Sequence, residues 1–481
     1  MSLNITRDQF RTAKQQVQSR FIKIELLNYQ FQILDSLEGK ATGGNISIQA
    51  ESDIRRTGNV DLVVGKSTFD IEAGGQFWLD KYLRLWVGTA NVRTGQVAWT
   101  NCGLYIIDAP KYHYDLASST LSLGLLDLMA KMTGARNGYL KGVPTTIKAG
   151  TDIREVIIAL VKTAGFTKYL VDNAPGDGKV PVDLEFDQGA TIYSVIKGVA
   201  DLYPGYEIFF DVDGTFIYRK IPDGENDAVV ADDTLWDDVV ISEDISPDLS
   251  GVKNSIEVFG RSHNPARFSA ETTITGKDIH LSIVDVYHYF DDLVYGFTLT
   301  DNPGYTYMTL EINELGKLPI YEADGKTPAK IPSEPGEVYY CVQYKAQRDA
   351  KGDIVEHHWY WLGHVQAYGK AEDTNPDSPF YINGPTGVIH LPLYGGEYDN
   401  ILTDELAQQR AEYELYLHAS LNDSITLNCV PVYWLDVNLK VRLTTKKDKK
   451  EQEYIIKNIN SGFSSTDTMS ITLMKFYPKQ V

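Results

Sequence analysis

The run His357-His358-Trp359-Tyr360-Trp361-Leu362-Gly363-His364 gathers imidazoles and large rings in one short segment. Imidazoles could hold a metal, and rings could stack on a sugar. Side chains alternate along a strand, so His358, Tyr360, Leu362 and His364 share one face and His357, Trp359 and Trp361 the other. Histidines six residues apart on one face are separated by about 20 Å at about 3.3 Å per residue. That is too far to share one metal. The favoured reading is an aromatic-rich strand. The alternative is a glycan contact made by Trp359, Tyr360 and Trp361.

Other acidic clusters are weaker. Asp211-Val212-Asp213-Gly214 resembles a calcium loop, but an EF-hand needs glycine at its sixth position and glutamate at its twelfth, and here glycine comes fourth. A hairpin turn fits better. Asp232-Asp233 and Asp237-Asp238 flank Trp236, and paired acids suggest glycoside hydrolysis, which requires two carboxylates at a set separation across a cleft. With 65 acidic residues in the chain, adjacent pairs are expected, so a solvated loop is the favoured reading. Gly-x-Ser-x-Gly, His-Glu-x-x-His and Walker patterns do not occur. The expectation is therefore no catalytic residue, no cofactor and no metal.

The elements that hold these residues are mostly strands. At 481 residues the chain has room for two to four domains of about 150 residues. Its 43% hydrophobic content predicts a packed protein, and 30 tyrosines suit strands and interfaces. The net charge of −20 argues against specific nucleic-acid binding, which needs lysine and arginine to displace phosphate counterions. No apolar leader and no apolar run of about 18 residues occurs, which predicts no signal peptide and no membrane insertion. Cys102, Cys341 and Cys429 are odd in number and far apart, which fits buried thiols in a chain made in a reducing cytoplasm.

Residues 1–130 read as a β-barrel preceded by a helix over 6–18, in which Phe10, Ala13 and Val17 form a narrow stripe. Residues 131–248 read as an α+β module. A helix capped at Thr151-Asp152 carries Ile153, Ile157, Leu160 and Val161. A second carries Ile192, Val195, Ile196 and Val199. A hairpin then turns at Asp213-Gly214, where a type I′ turn needs φ > 0 at both positions. Residues 249–261 and 401–481 read as a second barrel with a helix over 403–418, capped by Thr403. Residues 262–400 read as an inserted β-rich domain.

The two β-rich ends resemble each other. Trp78-Leu79-Asp80-Lys81-Tyr82-Leu83-Arg84-Leu85 matches Trp434-Leu435-Asp436-Val437-Asn438-Leu439-Lys440-Val441. Tyr105-Ile106-Ile107 then matches Tyr454-Ile455-Ile456, and the strand around Ser122 matches that around Ser470. Tyr105 precedes Ser122 by 17 positions, and Tyr454 precedes Ser470 by 16. Three matches in one order favour a duplicated barrel; the alternative is two unrelated β-domains with similar strand chemistry. Duplication doubles the similar surfaces per subunit, so three copies imitate a six-fold ring.

Taken in order, several segments resemble the central baseplate hub and tail-tip proteins of tailed phages and contractile injection systems. They are Gly58-Asn59-Val60-Asp61-Leu62-Val63, Trp78 to Gly88, Gly103 to Asp108, Val182 to Asp187, Val252 to Val258, Glu405 to Tyr416 and Leu435-Asp436-Val437-Asn438. The resemblance spans about 1–260 and 400–481. It implies an α+β, mainly β fold with two similar barrels, and a structural, non-enzymatic homotrimer in the virion tail baseplate. It also implies a pseudo-six-fold ring that passes DNA or the tube contents, with a tail tube protein, a spike or tip protein and baseplate wedge proteins as partners. Many relatives carry a wall-degrading domain after the second barrel, and an end at Lys475-Phe476-Tyr477-Pro478 predicts that none is fused here. The rival readings are a host cell-wall glycan-binding tail protein and a glycosidase within 262–400.

Overall fold

A computed structural model describes residues 5–476 except 16, 41–42, 64–73, 76, 115–118, 143, 177, 181–182, 301–305, 323–324, 335, 420–421 and 448. Gln16, Val182 and the Tyr477-Pro478 end of the last predicted strand lie outside these residues. Strands hold 45% of the chain and helices 13%.

Helix α1 (Arg7–Ala13) opens on a capping box between Thr6 and Gln9. It is shorter than predicted: Ala13 is buried, but Val17 lies past the helix and is exposed. The first β-rich run holds β1 (Arg20–Leu27), β2 (Ile33–Lys40), β3 (Gly43–Gln49), β4 (Arg56–Val63), β5 (Tyr82–Ala90), β6 (Val97–Tyr114) and β7 (Ser119–Asp127). In β7 burial alternates without a break, with Leu121, Leu123 and Leu125 inward.

The middle module holds β8 (Thr145–Ile147), α2 (Ile153–Thr163), β9 (Tyr169–Val171), β10 (Leu184–Phe186), α3 (Ile192–Ala200), β11 (Tyr206–Phe210), β12 (Phe216–Lys220) and α4 (Asp233–Val239). Asp152 caps α2 through Glu155 N, and Thr191 caps α3. The hairpin between β11 and β12 is not type I′. Only Gly214 has positive φ, because the Asp211 carboxylate accepts from Asp213 N at 2.9 Å and Thr215 N at 2.8 Å and holds a longer loop. The acids around Trp236 lie not in a loop but around α4: Asp232 is its cap and Trp236 is buried under it.

Then come β13 (Val240–Asp248) and β14 (Ser255–Ser262). A separate eight-stranded sheet is built from β15 (Arg267–Phe268), β16 (Glu271–Thr275), β17 (Asp278–Ser282), β18 (Val294–Thr300), β19 (Thr309–Ile312), β20 (Leu318–Tyr321), β21 (Glu337–Arg348) and β22 (Ile354–His364). The chain ends with β23 (Gln366–Glu372), β24 (His390–Tyr394), α5 (Asp404–His418), β25 (Asn422–Cys429), β26 (Lys440–Thr444), β27 (Glu451–Gly462) and β28 (Met469–Lys475).

The strands of the two expected barrels hydrogen-bond into one twelve-stranded sheet of order β13-β25-β28-β27-β3-β4-β7-β6-β5-β1-β2, with β26 on β27. Both ends of the chain share one core, with Leu83, Tyr105 and Leu123 beside Leu427, Tyr454 and Ile471. Two neighbourhoods differ from expectation. Strand β13 belongs to the large sheet, paired with β25. Strand β14, expected in the second barrel, pairs instead with β23 and β24.

Helix α5 packs on β23 and β14, not on the large sheet. The approach is backbone to backbone: a Cβ on Gly369 would lie 2.2 Å from the Ala407 carbonyl carbon. Its buried face is Leu406, Ala407, Ala411 and Glu414, in the core of the middle module. The sequence places Leu402, Leu406, Tyr413 and Leu417 on one apolar face, but Tyr413 and Leu417 are only partly buried. Leu406→Asp therefore buries an unpaired carboxylate there. It is expected to cost about 3 kcal/mol in urea unfolding, with protease nicking rising around β14, β23 and α5 before β25–β28.

Candidate functional site

The charged side chains that the fold buries meet where the two ends of the chain and the middle module join. Arg55 and Arg56 stand at the start of β4, and both are buried. Arg55 pairs with Glu207 of β11, and its guanidinium lies 3.7 Å from the Phe209 ring centre. Glu207 also accepts from Arg219 Nε at 2.7 Å and from Asn438 Nδ2 at 2.7 Å. Arg56 pairs with Asp436, and its backbone N–H donates to Asp127 Oδ2 at 3.0 Å. Burial opposes charge on Arg56, but Asp436 ahead of Tyr105 and Asp127 outweighs it and holds the pKa above its ordinary value. Burial pushes Asp127 up despite its two backbone donors, Arg56 and Met129.

One network thus spans β4, the end of β7, β11 and the segment before β26. A planar guanidinium satisfies several acceptors in fixed directions, so the joint sets an angle as well as holding charge. Sequence reasoning missed Arg55, Arg56, Glu207 and the role of Asn438, since an adjacent arginine pair reads as solvated.

The repeat residues divide. Tyr105 and Tyr454 are both buried in the shared core, opposite Asp127 and Lys475 at equivalent places in their ladders. Ser122 lies between Asp61 and Lys111, and Ser470 between Asn428 and Asn460. The strand order β3-β4-β7-β6-β5 at one end is the order β13-β25-β28-β27-β26 at the other. The Trp-Asp pairs diverge: Trp78 is exposed and Asp80 pairs with neighbouring Lys81, whereas Trp434 packs on the core and Asp436 reaches Arg56.

The aromatic strand lies in β22. Trp359 is 0% exposed and its Nε1 donates to Leu310 O at 2.9 Å, so it is core and does not meet a glycan. Tyr289, Tyr295 and Tyr344 surround it edge-on. Tyr360 is half-buried beside His358, while Trp361 packs against Phe297 and Tyr340. The three rings form no common stacking surface. A bulge pairs Val342 with Trp361 and Cys341 with Gly363, so the simple alternation ends there.

Past the bulge, His364 is held between two carboxylates, Nδ1 at 2.8 Å from Asp404 and Nε2 at 3.0 Å from Glu334. Asp404 also accepts from His364 N and Tyr368 N, both at 2.9 Å, tying α5 to β22 and β23. Burial works against the imidazolium, but the bond and charge of Asp404, then Glu334, raise its pKa above the ordinary histidine value. A raised folded pKa means the clamp is fully stabilising below the unfolded histidine pKa of about 6.5 and is lost as pH rises through the folded value. His364→Gln is expected to cost about 1–3 kcal/mol at pH 6, and the gap to wild type should close toward pH 9 in urea titrations.

A cleft of about 1290 Å³ opens beside this clamp, lined by Tyr203, Tyr206, His263, Trp361, Glu405 and Tyr413 among others. Among the described residues that line it there is no serine or cysteine. The three cysteines are buried elsewhere, each thiol pushed up to about 12 by burial. Among the described residues no His/Cys/Asp/Glu group could hold a metal, and no helix is long and apolar enough to cross a membrane. What the arrangement offers is a rigid joint between two similar sheet halves, flanked by a separate sheet.

Comparison with known proteins points the same way. The family described as Domain of unknown function (DUF5048) matches residues 377–480. No curated protein sequence matches the chain. The 43 kDa tail protein of prophage MuSo2 from Shewanella oneidensis superposes with a TM-score of 0.51 at 11% identity, over 94% of this chain and 98% of that one. A tail protein from Neisseria meningitidis MC58 gives 0.50 at 9% identity, over 94% and 96%. The chain therefore has the fold of phage tail proteins of the kind its sequence resembles, along almost its whole length.

Proposed function

We propose that this chain is a structural hub of a phage-type tail, which assembles as three copies into a pseudo-six-fold ring between a tail tube and a spike or tip. The observation that carries the reading is the repeated strand order of the two sheet halves, joined inside one chain where β27 pairs with β3. A subunit that holds two similar units side by side supplies six from three copies. The buried joint of Arg55, Arg56, Glu207 and Asp436 would hold the angle between them through assembly and tail action. The acidic chain, at −20, suits a lumen through which DNA or tube contents pass without adhering. Tube, spike and wedge proteins are the partners such a ring implies.

The experiment is the mass of the purified protein by light scattering, with negative-stain class averages. A particle at three times the 53.9 kDa chain mass, showing six similar lobes around an opening, is the expected result. A particle at the chain mass at every concentration, with or without the purified tube protein, would overturn the reading.

A further inference from the structure

The pairing that joins the two halves inside one chain leaves its counterpart open. Strand β27 runs beside β26, is bulged between Ile456 and Asn458, and then pairs with β3: Asn460 opposite Ser47, Ser461 opposite Ile46 and Gly462 opposite Asn45. Strand β6 follows the same course. It runs beside β5, is bulged between Asp108 and Lys111, and continues as Lys111–Tyr114. Among the described residues that arm pairs only with β7. The counterpart of β3 is β13, which ends the large sheet with β25 as its one ladder partner among the described residues.

The registers carry the match residue by residue. Asn45, Ile46 and Ser47 pair with Asn59, Gly58 and Thr57 of β4, while Asp244, Ile245 and Ser246 hold the equivalent places against Thr426, Ile425 and Ser424 of β25. The sequences agree: Asn-Ile-Ser in β3 and Asp-Ile-Ser in β13. Likewise, Lys111 and Tyr112 face Ser122 and Leu121 as Asn460 and Ser461 face Ser470 and Met469.

We propose that the β6 arm of one copy pairs antiparallel with β13 of a second copy, with Lys111 opposite Ser246, Tyr112 opposite Ile245 and His113 opposite Asp244. The large sheet then continues from chain to chain as it already does between the halves of one chain. This interface rests on the ring reading above and names its contact.

Side-chain chemistry agrees with that register. Tyr112 lies across from Leu121, which points into the core, yet the tyrosine is 41% exposed. Ile245 packs at the rim of the same core. Joining the two edges buries one against the other and extends the core across the seam. On the opposite face, exposed Lys111 and His113 meet exposed Asp244. An unpaired edge invites indiscriminate pairing, and charges and proline are the usual safeguards. Pro247 follows the three paired positions of β13, and Pro110 sits in the β6 bulge. Both prolines limit the ladder to this short register.

The test adds one cysteine to each of two variants, Tyr112→Cys and Ile245→Cys, the three native thiols being buried; one variant carries a larger tag, and the two are mixed and oxidised. Lys111→Cys with Ser246→Cys covers the neighbouring register pair. Ser461→Cys with Ile46→Cys in one chain is the positive control. The expected result is a covalent heterodimer from either mixed pair, and a covalent trimer from the chain that carries both Tyr112→Cys and Ile245→Cys. Ring-sized particles with a working control but no crosslink from either pair would overturn this interface and leave the ring standing. Particles at the chain mass with no crosslink would overturn both. Lys111→Asp and Asp244→Lys should each weaken assembly about tenfold, and together restore it.

Discussion

Replacing Arg56 by alanine should lower stability by about 3–5 kcal/mol, because removing one partner of a buried ion pair leaves the other charge unpaired. Arg56 is 2% exposed, and its loss strands Asp436 and the Phe210 carbonyl together. Arg56→Lys separates charge from geometry. Lysine keeps the charge but not the planar fork, so it should recover less than half of the loss. The damage should be directional as well. Arg56 belongs to β4, Asp436 precedes β26 and Phe210 ends β11, so three parts of the fold lose a common anchor. Urea unfolding followed by tryptophan fluorescence checks the size. Crosslinking between β3 and β27 checks whether the halves still meet in register. An Arg56→Ala protein with an unshifted midpoint would show that the joint is held by apolar packing alone.

Much of this fold is legible in the sequence, for reasons that are local. Leu121, Leu123 and Leu125 alternate because one face of β7 is wet and the other dry. Asp152, Thr191 and Thr403 precede apolar periodicity and cap helices as their side chains allow. The likeness of the Tyr105 and Tyr454 strands is visible because core-facing tyrosines in the same ladder position tolerate little change.

What was not legible depends on distant partners. Strand β13 reads Val-Ile-Ser-Glu-Asp-Ile-Ser-Pro-Asp, too polar for a buried strand, since its outward residues lie on an edge. Arg55 and Arg56 look like surface charge because their acids, Glu207 and Asp436, are far along the chain. The hairpin at Asp213-Gly214 is legible, but its turn is not type I′ because the Asp211 carboxylate, two residues earlier, reorganises the loop. Helix α5 rests on β23 and β14, a bed other than the one its sequence suggests, for a related reason. Its seat is glycine and alanine backbone at Gly369 and Ala407, and hydrophobic periodicity is blind to contacts made without side chains.

Trp359→Ala should cost about 3–5 kcal/mol, as for other buried tryptophans, and the loss should fall on the eight-stranded sheet. Trp359 is 0% exposed, ringed by Tyr289, Tyr295 and Tyr344, and bonded through Nε1 to Leu310 O. Its removal leaves a void in the centre of that core and takes away a donor from the Leu310 carbonyl of β19. Trp359→Phe keeps most of the volume but not the hydrogen bond, so it should cost about 1–2 kcal/mol less than the alanine variant. Near-ultraviolet dichroism and limited proteolysis of residues 262–400 would locate the damage. The same pair of variants decides between a structural and a glycan-stacking use of this strand. A stacking tryptophan loses ligand and keeps its melting temperature, whereas a core tryptophan loses melting temperature first. An alanine variant that melts as the wild type does, but no longer retains cell-wall glycan, would reverse the assignment. Burial of the whole ring leaves no face for a sugar, so the expected outcome is an early-melting sheet beside an intact joint at Arg56.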